Sequence, residues 1–146
     1  MDNLSKIGIW INRIVLLFVS VLFFSIGIRN ILSPLKSAIK SDIVLNSATA
    51  LSVARVSMGA FPLGFAIIIL TSLFLKRGMF GGVLSVFIIV VITTIVRITS
   101  LQIDGHSDFG EKVLIPEIIL TILSGIGLYL ELYRRKMERS EMKFAK

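Results

Sequence analysis

Arg55, Arg97 and Glu117 stand within or near the ends of apolar stretches long enough to cross a bilayer. A charge at membrane depth costs about 2.5–3.5 kcal/mol on insertion scales, so such a side chain usually faces a partner or a wet cavity. The planar guanidinium fork of arginine suits carboxylate and phosphate. Asn46, Asp104 and His106 lie in the connections beside the same stretches. Three kinds of chemistry are open to this set. The arginines can capture an anionic or carbonyl-bearing group. Glu117, His106 or Asp104 can act as general acid or base on a substrate that the arginines orient. Alternatively, Arg97–Glu117 and Arg55–Asp104 can pair and fix helix register, with nothing bound.

Other chemistries lack their residues. There are no cysteines, which removes thiol nucleophiles, thiolate metal sites and the paired-cysteine chemistry of four-helix membrane thiol oxidoreductases. No serine sits in a nucleophile-elbow context and no glycine-rich phosphate loop follows a strand. His106, the only histidine, gives D-x-H-x-D-x-x-E with Asp104, Asp108 and Glu111. This departs from a calcium loop, which needs glycine where Phe109 stands and an acid at its twelfth position. A solvated loop is the reading, with no metal, and the residues name no cofactor.

The composition explains why charges inside the stretches matter. Hydrophobic residues make up 55% of the 146-residue chain and mean hydropathy is +0.90, beyond the range of a soluble globular domain. A sequence pI near 10.2 would suit a nucleic-acid partner, but the placement of the charges points to topology instead. The tail from Arg134 onward holds six basic residues against Glu138 and Glu141, which supplies +4 of the net +7. Basic residues flanking a span mark a cytoplasmic end, so no nucleic-acid partner is expected.

Four stretches qualify as spans: 7–28, 47–75, 80–101 and 114–133. The first is too long, and lacks the small-residue cleavage site, to be a signal peptide. Pro34 ends it. Lys76, Arg77 and Gly78 form a tight link between the second and third, and residues 104–110 form a polar loop before the fourth. The spacing predicts an all-α, antiparallel four-helix membrane domain over 1–146, with 134–146 as a basic tail. Lys6, Arg13, Lys76, Arg77 and the tail lie on one side. Arg29, Lys36, Lys40 and Lys112 lie on the other, diluted by Asp42, Asp104, Asp108 and Glu111. Both termini are therefore expected in the cytoplasm.

With that topology Arg55 lies roughly 13 Å past Asn46 along the second span, and the polar set gathers in the outer half. Thr93, Arg97, Ser100 and Asp104 share one helix face, as do Glu117, Thr121 and Ser124. Ala60 with Gly64, Gly81 with Ser85, and Thr121 with Gly125 are small-residue pairs that would let helices approach closely. Pro62 is expected to kink the second span about two turns below Arg55.

From Asn46 onward these features form a string: Asn46, Arg55 with Gly59, Arg97-Ile98-Thr99-Ser100-Leu101 running into Asp104-Gly105, and Pro116-Glu117 opening the last helix. This resembles domain-of-unknown-function family 4345, over roughly the last two-thirds of the chain. The resemblance implies a four-helix bundle of a bacterial inner membrane, similar in architecture to DoxX-like proteins. It also implies that Asn46, Arg55, Arg97, Asp104 and Glu117 form a recurring polar set, and it implies no activity.

The leading reading is a membrane protein that binds a small anionic, polar-headed or lipid-like ligand in an outer-half pocket, with Arg55, Arg97, Asp104, Glu117, Asn46 and His106 as candidate contacts. A membrane enzyme on a lipophilic substrate, such as an isomerase or a quinone-linked oxidoreductase, stands beside it. So does a purely structural or accessory subunit, as a homo-oligomer or within a larger membrane complex. An antiporter is less suited, because the first span carries Asn12 and Arg13 where a deep carboxylate is needed.

Overall fold

The computed structural model describes residues 3–75, 78–105 and 108–144. Among them every regular element is helical: α1 (Asn3–Leu32), α2 (Pro34–Lys40), α3 (Ala48–Ala54), a π-helical turn (Arg55–Ala60), α4 (Phe61–Phe74), α5 (Gly78–Ile103) and α6 (Asp108–Phe144). Among the described residues four stretches are long and apolar enough to cross a membrane: Lys6–Leu32, Ala48–Phe74, Gly78–Ile103 and Asp108–Glu138. This is the architecture of a multi-pass membrane protein. Its exposed surface fits, because Phe18, Phe61, Phe74 and Ile92 are all exposed, as lipid-facing side chains are. Several hydroxyls inside the spans are satisfied by their own helix: Ser25, Ser57, Thr71, Thr93 and Thr99 each donate to the carbonyl four residues earlier.

Two expected connections differ from the sequence reading. Pro34 does stop α1, but it also opens α2 at its first position, where a missing N–H costs nothing. The loop expected over 104–110 is shorter, because α6 begins at Asp108 with Asp108 and Glu111 in its first turn. Negative charge there complements the helix dipole. The link through Lys76 and Arg77 lies outside the described residues.

The chain divides into two compact units, Met1–Leu16 with Ser72–Lys146, and Leu17–Thr71. In the first, α5 buries Val83, Val86, Val90 and Thr94, a stripe at helical spacing. Phe87 packs on Gly125 of α6, while Thr94 meets Thr121, so the two helices run antiparallel. The start of α1 joins them. Gly8 rests against Leu130, and Asn12 fills the space that Gly127 leaves, where any Cβ would collide with its amide oxygen.

In the second unit the later half of α1 packs on the second span. Ser20 donates to the Ala66 carbonyl at 3.0 Å, and Phe23 meets Phe65 edge to face at 5.5 Å. The closest approach uses Gly27 and Gly59. A Cβ on Gly27 would lie 2.8 Å from the Leu63 backbone nitrogen and 2.9 Å from the Gly59 oxygen. The small-residue pairs read from sequence are corrected here. Gly64 and Gly81 are exposed with nothing within 4 Å of a built Cβ; only Thr121 with Gly125 lies at a helix contact.

Pro62 produces a π-helical turn in which Phe61 N–H bonds to the Val56 carbonyl. Proline has no N–H, so the Met58 carbonyl loses its ordinary helical donor. Asn30, buried on α1, supplies one through its Nδ2 at 2.6 Å. We expect Asn30→Ala to cost about 1–3 kcal/mol, because it leaves a buried carbonyl unpaired. Combining it with Pro62→Ala, which restores a backbone donor, should shrink that cost. Thermal unfolding of the four variants in one bilayer mimetic gives the coupling, and an unchanged cost in the Pro62→Ala background would refute the account.

Candidate functional site

Arg97 and Glu117 are brought together across α5 and α6. Nε donates to Oε2 at 3.2 Å and Nη2 to Oε1 at 2.9 Å, a side-on arrangement in which one guanidinium edge fills both carboxylate oxygens. The side chains are 27% and 15% exposed. The Phe109 ring lies 6.0 Å from the guanidinium carbon and covers it from one side. One turn deeper the Thr94 and Thr121 hydroxyls lie 3.0 Å apart, and Thr121 also donates to the Glu117 carbonyl at 2.8 Å. The result is a polar ladder between two apolar helices. Arg97 Nη1 has no partner among the described residues.

The other candidates have their own surroundings. Asp104, at the end of α5, accepts from Ser100 at 2.7 Å in an exposed position. His106 lies outside the described residues. Arg55 and Asn46 belong to the second unit. Asn46 borders an open groove of about 410 Å³ whose other walls come from α2 and residues 42–45. Arg55 opens the π-helical turn, is exposed, and has no hydrogen-bond or ion-pair partner among the described residues. It lies seven positions past Ala48, the first residue of α3, or roughly 10 Å along the span.

Three buried polar residues stand outside the candidate set read from the sequence. Asn30 is one. Asn12 is 1% exposed, with neither amide atom hydrogen-bonded. Glu131 is the third, and it too is 1% exposed. Arg134 grips it with Nε at 3.0 Å and Nη2 at 2.6 Å, and Arg135 adds Nε at 3.3 Å. Arg134 also reaches Glu138, and the Arg135 guanidinium stacks 4.3 Å from the Phe80 ring. The signal was present as glutamate followed by arginine three and four positions on, the favourable order on one helix face. Both carboxylate oxygens are thus already taken by arginines of the same helix.

No curated protein and no solved structure matches the chain. A family match does exist, over residues 11–128, and it takes in most of the first span as well as the Arg55, Arg97, Asp104 and Glu117 positions. The chain belongs to the family described as Domain of unknown function (DUF4345).

Proposed function

We propose that this multi-pass protein binds an anionic or polar-headed amphiphile, with the Arg55 guanidinium as the principal donor to its headgroup. One observation carries the reading: Arg55 is exposed inside a span and lacks a partner among the described residues. An exposed position in a span faces lipid or a cavity, where an unpaired guanidinium is costly. Its five donors then find their acceptors outside the chain. Phosphate and carboxylate fit that fork, and the exposed apolar neighbours Val53, Val56 and Phe61 suit the lipophilic part of the same molecule. With both termini cytoplasmic, the headgroup belongs to the outer leaflet. Arg97 plays a different part, because Glu117 already occupies one edge of its guanidinium.

Native mass spectrometry of protein released from its own membranes tests this. The wild type should retain an anionic amphiphile. Arg55→Ala should reduce its occupancy by about 10- to 100-fold, the loss of one charge-assisted contact pair. Arg55→Lys, a point charge without the fork, should fall between. Equal retention by wild type and Arg55→Ala, with unchanged thermal stability, sinks the proposal.

A further inference from the structure

We propose that α2 and the chain that folds back on it form an interfacial seat for one bilayer phospholipid. The groove takes an acyl chain, and Lys36 and Lys40 meet the phosphate. This stands apart from the Arg55 reading and uses none of its contacts.

The seat is built by the way α2 stops. Asp42 adopts a left-handed conformation at φ 55°, a region that aspartate tolerates better than most residues. Asp42 N–H bonds to the Ile39 carbonyl at 3.3 Å and Ile43 N–H to the Ala38 carbonyl at 2.9 Å. That pair of bonds is a Schellman ending, which reverses the chain and brings Ile43 over Ala38. Residues 43–46 then run beside α2 and close a groove of about 410 Å³. Leu35, Ala38, Ile39 and Asp42 line it at helical spacing, with Ile43, Val44 and Leu45 opposite. The lining is apolar except for Asp42 and Asn46.

The position and charge of this element select the occupant. It joins the end of one span at Leu32 to the start of the next at Ala48, which places it at the bilayer surface. Ile39 and Val44 are 71% and 76% exposed, too apolar to face water without a covering. Lys36 and Lys40 each follow a groove residue by one position, about 100° around the helix, and both are exposed. Arg29, also exposed, lies in the last turn of α1, nearby in sequence. Apolar residues on one face and lysines beside them are the pattern of a helix lying in the headgroup layer. Against three cations the single Asp42 leaves the rim positive, as a phosphate requires.

The test uses the full chain in nanodiscs of equimolar phosphatidylcholine and phosphatidylglycerol. The chain has no cysteine, so single nitroxide labels at Ile39→Cys and Val44→Cys need no other change. Both should be more accessible to oxygen than to a water-soluble nickel reagent. Delipidated protein should retain one phospholipid that Leu35→Glu/Ile39→Glu and Lys36→Glu/Lys40→Glu each lose by at least about tenfold, one charge-assisted contact or more. These positions are exposed, so the variants keep the fold, which thermal unfolding verifies. Arg55→Ala should keep that phospholipid, so failure here and failure of the Arg55 proposal are told apart. Water-like accessibility at residues 39 and 44, or full retention by the glutamate variants, overturns the seat.

Discussion

Arg97→Leu should lower the unfolding free energy by about 2–3 kcal/mol, and Arg97→Leu/Glu117→Leu should recover most of it. Removing one partner of a buried pair strands the other charge, which typically costs about 3–5 kcal/mol. The pair here keeps 27% and 15% exposure, so the loss falls below that range. Glu117→Leu alone should cost less than Arg97→Leu, because arginine has a long stem and can turn its head toward water or headgroups. A carboxylate on the short stem of Glu117, with Thr121 bonded to the same residue's carbonyl, has less freedom. A double-mutant cycle by thermal or chemical unfolding in nanodiscs reads the coupling directly. Strictly additive single losses would mean that the two residues act independently, and the ladder between α5 and α6 would lose its main rung.

Gly27→Val should be more damaging still, by more than about 3 kcal/mol, at the upper end of overpacking penalties. The obstacles to a side chain at 27 are the Leu63 nitrogen at 2.8 Å and the Gly59 oxygen at 2.9 Å, backbone atoms that cannot rotate away. The two helix segments would have to separate, and the Asn30–Met58 bond one turn along would stretch with them. Gly59→Ala meets Ile31 Cγ1 at 2.7 Å and the Ile31 backbone nitrogen at 3.1 Å, and should be milder because its backbone contacts are looser than those at Gly27. The controls are Gly64→Ala and Gly81→Ala, which meet nothing within 4 Å and should be neutral or stabilising by about 0.5–1 kcal/mol. If all four substitutions shifted the unfolding midpoint alike, close packing at Gly27 would not be what holds this unit together.

These glycines also show what a sequence can reveal. The spans were legible because hydropathy over 26 to 31 residues is a property of composition, independent of neighbours. Small-residue spacing is different. Ala60 with Gly64 and Gly81 with Ser85 share the pattern of Thr121 with Gly125, yet only the last lies at a helix contact. The pattern marks a face that could be approached, and nothing in it says whether a helix is there. Gly27, the most crowded glycine of the second unit, has no such partner in α1 and is recognised only across 32 residues, from Gly59. Asn30 poses the same difficulty: its role follows from a proline on another element that removes a donor. Asn30 and Glu131 were passed over, and Asn12 entered only as standing where an antiporter needs a carboxylate, because burial cannot be read from position along a span. Of the candidate site, Arg97 and Glu117 meet, while Arg55 is legible as a costly charge without its acceptor.

The length of α6 has a consequence for the lipid around it. At 1.5 Å per residue its 37 residues make a rod of roughly 55 Å, against a hydrocarbon layer of about 30 Å. The surplus must stand clear of the bilayer or be absorbed by tilt. Glu131, Arg134 and Glu138 brace the helix where it would otherwise fray, so it leans as one piece. Arg97 and Glu117 tie that lean to α5. A thinner membrane therefore acts on this protein as a torque, passed to the neighbouring helix through that ion pair together with the Thr94–Thr121 and Phe87–Gly125 contacts.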